Sequence, residues 1–199
     1  MPTSKNNIFI HKTAEVSPQA KIGGGTKIWH NCQIMPGAQI GKNCTIGHNC
    51  YVAEGAKIGN NVKIQSNTDI WKGVVLEDYV FVGPSAVFIN DLNPRAKYPK
   101  KNFPQYGKWH PTLVKEGATI GANATIVCGS TIGKWAFVGA GAVVKGDIPD
   151  YALVVGVPAV QIGWMCKCAN KLLFADNKAV CQVCQRKYGK RGSQIMPII

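Results

Sequence analysis

The chain has 199 residues, of which 46% are apolar, enough for one sizeable core with a small appendix and too many for disorder to be the default. No apolar run approaches the roughly 18 residues of a membrane span, and the polar start, Met1 to Asn7, reads as neither signal peptide nor anchor, so the expected location is the cytoplasm with no membrane partner. A net charge of +13 points to anionic partners, whether nucleic acid, an anionic surface or phosphorylated small ligands, and the eight cysteines, without an export signal, read as reduced thiols or metal ligands rather than a disulfide framework.

From Ile10 an aliphatic residue recurs at every sixth position, through Val16, Ile22, Ile28 and Ile34, without a miss to Phe88, where the residue is aromatic. The period resumes at Val114 and runs through Ile120, Ile126, Ile132 and Val138 to Val144. Gly often follows, as in Ile22-Gly23, Ile40-Gly41 and Ile120-Gly121. A period of six suits neither a helix nor a simple alternating strand. It suits a triangular solenoid in which three hexads make a coil, the aliphatic points inward, and glycine serves positions where a side chain would clash or φ is positive. Coils then stack at about 4.8 Å, so residues 18 apart lie over one another. The expected ladders are Asn31, Asn49 and Asn67, His30 over His48, and Cys32 over Cys50. His30, His48, Cys32, Cys44, Cys50 and Cys128 are accordingly read as packing devices.

The step from Phe88 to Val114 is not a multiple of six, so a segment is inserted over 89–113. It carries Arg95, Lys97, Lys100, Lys101 and Lys108 against the single acid Asp91, and His110 is the one histidine outside the repeat. The individual lysines read as a solvated surface. Gln65 and Lys72 precede the insertion by one coil and are candidates for the same face.

The repeated pattern, aliphatic-Gly-x-x-small-x, resembles the left-handed parallel β-helix of the hexapeptide-repeat acyltransferases over Ile10 to Val144. Handedness comes from the resemblance alone, because parallel crossovers are right-handed on general grounds. The resemblance implies an all-β solenoid, a homotrimer, and acyl-CoA lying between neighbouring prisms. "NVKIQSNTDIWKGVVLEDYVFVGPSAVFIND", "NPRA", "PTLVKEGATIGANATIVCGSTIG" and "GVPAVQIGWMC" are similar to bacterial N-acetyltransferases of 3-amino nucleotide sugars. They come nearest to those acting on UDP-2-acetamido-3-amino-2,3-dideoxyglucuronic acid in lipopolysaccharide synthesis. A TDP-linked 3-amino-6-deoxy sugar is the alternative substrate. Relatives usually read Phe-Thr-Asn where this chain has Phe88-Ile89-Asn90, so any contact of that threonine hydroxyl is missing here.

Acetyl transfer from a thioester to a neutral amine is largely a matter of alignment. The resemblance implies that Asn90 aims the amine, since an amide side chain takes no proton near neutral pH, and Asp91 stands next to it as the second catalytic candidate. His110 ranks behind both as a base. Arg95, within "NPRA", offers a bidentate fork for a carboxylate or diphosphate of the substrate, with Gln65 and Lys72 as further substrate-binding candidates. Gly139, Ala140, Gly141 and Ala142 are small where the pantetheine arm of acetyl-CoA approaches the backbone, and Lys145 is placed to meet its phosphates. The same glycines also read as plain solenoid corners.

Beyond Trp164 the rhythm is gone. "CKCANKLLFADNKAVCQVC" sets the pair Cys166 and Cys168 and the pair Cys181 and Cys184 on either side of a hairpin, the arrangement of a structural four-thiolate zinc ribbon. The expected organisation is a β-helix over 1–160, a zinc-ribbon-like module over 161–190 and a tail over 191–199. Two rivals from other classes remain. A zinc-ribbon nucleic-acid-binding protein ranks lower because the basic residues are spread along the chain without an aromatic platform. A zinc hydratase on the same solenoid needs three converging histidines, and His30 and His48 are expected to stack instead.

Overall fold

The computed structural model describes residues 7–97, 102, 109–192 and 194–198. Strands of two residues recur at the six-residue period, each ending on the periodic aliphatic: Phe9–Ile10, Glu15–Val16, Lys21–Ile22, then Lys27–Ile28 stacked on the first. Three such strands complete a coil, and residues 18 apart pair in parallel, as in Lys27↔Thr45, Gln33↔Tyr51 and Gln39↔Lys57. Ile28, Ile46, Ile64, Ile120, Ile126 and Ile132 are fully buried, whereas the residue before each faces outward. Each such isoleucine contributes roughly 1.5–3 kcal/mol of burial, so the prism owes its core to repetition.

The small residue two places ahead of the next aliphatic also turns inward. Where it carries a polar hydrogen, it donates to a carbonyl fifteen residues on: Thr26 to Gly41 at 2.8 Å, Cys32 to Gly47 at 2.8 Å, Cys44 to Gly59 and Cys50 to Gln65 at 3.1 Å. Ser130 donates instead to the carbonyl three residues back, and Thr112 makes no such bond. The carbonyl in its register is that of Val127, which the Ser130 hydroxyl holds at 2.7 Å, and the buried Thr112 Oγ1 is left without a partner.

Of the two duties the sequence offers the Ile-Gly glycines, close approach is the one they perform. A Cβ on Gly23 would lie 2.6 Å from the carbonyl carbon of Gly41, so only hydrogen fits under the next coil. The left-handed positions fall two residues later, at Gly25, Asn31, Asn49 and Asn67, and asparagine tolerates that conformation better than other side chains. The expected amide ladder is present there, with Asn49 Nδ2 donating to Asn67 Oδ1 at 3.2 Å.

The first face runs unbroken from Phe9–Ile10 to Ala152–Val155, and the third from Lys21–Ile22 to Thr131–Ile132. The second parts between Asp69–Ile70 and Val87–Phe88. Phe88 is fully buried in a column otherwise built of Val16, Ile34, Val52, Ile70, Ile126 and Val144, and its ring takes room that a branched aliphatic does not. Immediately after Phe88 comes the insertion. It leaves and returns through an antiparallel bridge between Asp91 and Trp109, and Thr112–Val114 then pairs with Val74–Leu76. Val74 and its partner Thr112 are 38 residues apart, one coil of 18 plus 20 inserted. Lys100, Lys101 and Lys108 lie outside the described residues.

At the far end Ala152–Val155 stacks on Phe137–Val138, and the chain then reverses: Val160–Met165 runs antiparallel to it and Lys171–Leu172 lies beside that strand. A separate antiparallel sheet follows, of Lys178–Val180, Lys187–Arg191 and Gln194–Ile198. Tyr151, Cys166, Leu172, Ala179, Tyr188 and Ile195 form a second, much smaller core there.

Candidate functional site

The interruption sits at the corner between the second and third faces. Counting two residues on from the paired Phe88, Ile126 and Val144 puts Asn90, Cys128 and Gly146 in one column, with Lys72 one coil below Asn90. Asn90 and Asp91 are half-buried at the base of the insertion, held by the Asp91–Trp109 bridge. Asp91 Oδ1 accepts the Asn93 amide at 2.8 Å, closing a tight turn. Its carboxylate is thus engaged with the loop's own backbone. His110 stands over Gly129, its Cβ 3.7 Å from where a Cβ on that glycine would be. Cys128, read from the sequence as a packing residue, joins this corner: its thiol accepts the His110 amide and feels the Asp91 charge. Burial pushes that thiol up from its ordinary value, with the His110 amide pulling the other way. It therefore stays a neutral thiol near pH 7 and not a nucleophile. The 38-residue step from Asn90 to Cys128 was the signal, readable only once the insertion length is known.

Arg95 is exposed, and its Nη1 donates to the Pro94 carbonyl at 2.9 Å. Lys72 Nζ lies 3.9 Å from Glu54 Oε1 with both side chains largely in solvent, a pair of little energetic weight. Gln65 does not share this corner. It follows Lys63–Ile64 at the corner between the first and second faces, where its amide donates to Val82 at 2.8 Å and its carbonyl accepts the Cys50 thiol. Gln65 and Lys72 therefore flank the second face from opposite edges.

Gly139, Ala140, Gly141 and Ala142 lie at the corner of Gln65, three coils further on, whereas Lys145 lies at the corner of Asn90. Among the small residues only Ala140 and Gly141 face solvent. A Cβ on Gly139 would meet Val155 Cγ1 at 2.7 Å, and Ala142 is wholly buried, so these two are there for packing. Gly141 has φ +69° and open space in front of it, which leaves backbone accessible to a ligand.

The histidines of the first coils lie one over another in tilted and T-shaped contacts rather than converging. His11 lies 4.3 Å from His30, His30 6.2 Å from His48 in T-shaped contact, and His48 Nδ1 is hydrogen-bonded to Ser66 Oγ at 2.7 Å. Among the described residues, the group able to share an ion is instead the cysteine quartet, whose four sulfurs all lie within 4.8 Å of one another. Cys166–Cys184 and Cys168–Cys181 are each 3.4 Å apart.

The pattern of the family described as bacterial transferase hexapeptide (six repeats) matches residues 6–54, 55–90 and 111–146. The chain belongs to this family. The gap between the last two matched stretches is the insertion. A dTDP-3-amino-3,6-dideoxy-alpha-D-galactopyranose 3-N-acetyltransferase of Aneurinibacillus thermoaerophilus is 58% identical over 77 residues, covering 39% of this chain and 40% of that protein. The chain thus matches less than half the length of this relative. Among solved structures, a hexapeptide-repeat-containing acetyltransferase of Vibrio cholerae complexed with acetyl coenzyme A is 25% identical at a TM-score of 0.50, over 61% of this chain and 67% of that one. The acetyltransferase domain of PglB from Neisseria gonorrhoeae, in complex with acetyl coenzyme A, is 24% identical at 0.51, over 78% and 57%, and speaks for the fold alone. No helix of the described residues is long and apolar enough to cross a membrane.

Proposed function

We propose that this hexapeptide-repeat protein is an acetyl-CoA-dependent N-acetyltransferase of the 3-amino group of a nucleotide-linked sugar. The observation that carries the reading is the corner itself: the one place where the repeat is broken gathers Asn90, Asp91, His110, Cys128 and Lys72. The Vibrio cholerae relative with acetyl coenzyme A supports the donor, and the Aneurinibacillus relative supports the acceptor. That second likeness favours a TDP-linked 3-amino-3,6-dideoxyhexose over the UDP-linked glucuronate nearest in the sequence reading. The reading places the reaction in the cytoplasm, with a product suited to a surface polysaccharide.

In the transfer, the neutral amine attacks the thioester carbonyl, the carbon–sulfur bond breaks, and the proton shed by nitrogen ends on the departing thiolate, giving amide and free CoA. Asn90 accepts a hydrogen bond from the amine and aims its lone pair. Arg95 binds an anionic part of the sugar nucleotide. Ala140, Gly141 and Lys145 lie at the two corners flanking the second face, where acetyl-CoA would run between this prism and a neighbour in a homotrimer. Four thiolates leave an ion no open position, so zinc at the cysteine quartet takes no part in the chemistry.

The test is thiol release from acetyl-CoA with TDP-3-amino-3,6-dideoxygalactose beside the UDP-linked amino glucuronate. Turnover with the first at ten times the efficiency of the second is expected, and release with neither sinks the reading. Arg95→Ala should raise KM for the sugar nucleotide about tenfold with kcat little changed, as a uniform binding contact does. His110→Ala should move neither; loss of turnover in that variant transfers the proton-accepting role to His110. Sedimentation as a monomer at micromolar concentration would remove the trimer.

A further inference from the structure

The acetyl transfer leaves the C-terminal thiols unused. We propose that one zinc ion held by Cys166, Cys168, Cys181 and Cys184 fastens a cap onto the end of the solenoid, a role independent of whether the acetyltransferase reading stands.

The sulfur geometry fits the ion. A zinc–sulfur bond of about 2.3 Å in a tetrahedron sets sulfurs about 3.8 Å apart. Here the separations run from 3.4 Å to at most 4.8 Å. A disulfide needs about 2.05 Å, and all four thiols are free. Soft thiolates select zinc over hard divalent cations. Four thiolates around a dication carry two surplus negative charges, and the surroundings answer them. Arg186 Nη1 is 3.5 Å from Cys184 Sγ, the Tyr188 hydroxyl 3.1 Å from Cys166 Sγ, and Asn170 Nδ2 3.8 Å from Cys181 Sγ. Between 161 and 198 the only acid is Asp176, amid seven lysines and arginines. Donors oriented on the ligand atoms are what a thiolate metal site requires around it.

The attachments define the role. Cys166 directly follows Val160–Met165, the strand paired with the last solenoid strand, and the Met165 amide donates to the Tyr151 carbonyl at 2.8 Å. Cys181 and Cys184 precede the strand Lys187–Arg191, at the centre of the separate three-stranded sheet. The ion therefore joins the strand leaving the prism to the sheet beyond it. Tyr188, from that sheet, meets the ring of Tyr151 at 5.7 Å, and Lys167 Nζ lies 5.0 Å from the ring of Trp135. Leu172, Ala179, Tyr188 and Ile195 supply too little apolar burial to hold the sheet in place without a cross-link.

Full-length protein purified under reducing, chelator-free conditions should contain one zinc per chain by elemental analysis, and no zinc, or iron in its place, overturns the assignment. Stripping the metal with a chelator at neutral pH should speed tryptic cleavage at Lys167, Lys171 and Lys178 at least tenfold, while the main melting transition moves little. Returning zinc should restore resistance. Cys181→Ser should behave as the stripped protein does. If that variant yields no soluble protein, the stripping and refilling of wild type still decides. Stripped protein that resists trypsin as the filled form does would show that the ion fastens nothing, and a wild-type melting transition that collapses with the metal would show that the solenoid itself depends on it.

Discussion

The same residue serves opposite ends in the two halves of this molecule. Cys32, Cys44 and Cys50 lie in the wall of the prism, Cys32 against Cys50 one coil on, and each donates a thiol hydrogen to a carbonyl of the next coil. Cys166, Cys168, Cys181 and Cys184 give up such private partners and converge. In the solenoid every position is defined by its neighbours one coil away, and the apolar column repeats the solution. Beyond Trp164 nothing repeats, so a cluster must do what a column does elsewhere. Cysteine is a small, weakly polar filler in the first setting and one of a converging cluster in the second, and the period of the surrounding sequence tells which.

The comparison breaks most visibly if the two regions share one stability. Ile126→Ala, in a fully buried column position, should cost about 2–5 kcal/mol in the solenoid's unfolding free energy, followed by denaturant titration, with the metal content unchanged. Loss of zinc in that variant would tie the regions together. Asn90→Ala tests the third kind of region, the corner where the repeat is given up. Turnover should fall by roughly one to three orders of magnitude, the cost of a positioning contact used in the transition state, while the melting temperature and the dissociation constant for acetyl-CoA hold. An equal fall in stability would make Asn90 part of the wall. Smallest is Cys44→Ser. Its hydroxyl keeps a donor for the Gly59 carbonyl, so the loss should stay near about 1 kcal/mol, against the complete metal loss expected of the identical change at Cys181.

Much of this was legible in advance because it is periodic. Ile28 through Ile132 announced the prism, and Asn49 over Asn67 followed from counting 18. The cysteine quartet was legible from its two close pairs. Counting failed where the chemistry is local. The residues 89–113 have no period, so the Asp91–Trp109 bridge was invisible, and with it the coil that sets Cys128 beside Asn90. Gln65 and Lys72 were candidates for one face because both precede the insertion by one coil, yet the seven residues between them cross a face and bring them to different edges. The parting of the second face below Val87–Phe88 was not legible either, since strand pairing within a column is a property of the stack rather than of a motif.

The pairing of Val74 with Thr112 has a consequence for how such a molecule can change. The coil above the insertion is laid down as though the 20 extra residues were absent, since all three faces carry the register past the corner, each pairing residues 38 apart. The insertion is consequently a cassette: its length and composition are free to vary without rotating or shifting anything stacked above it. Exchanging it for the corresponding segment of a relative is then a local edit, with the scaffold inherited whole.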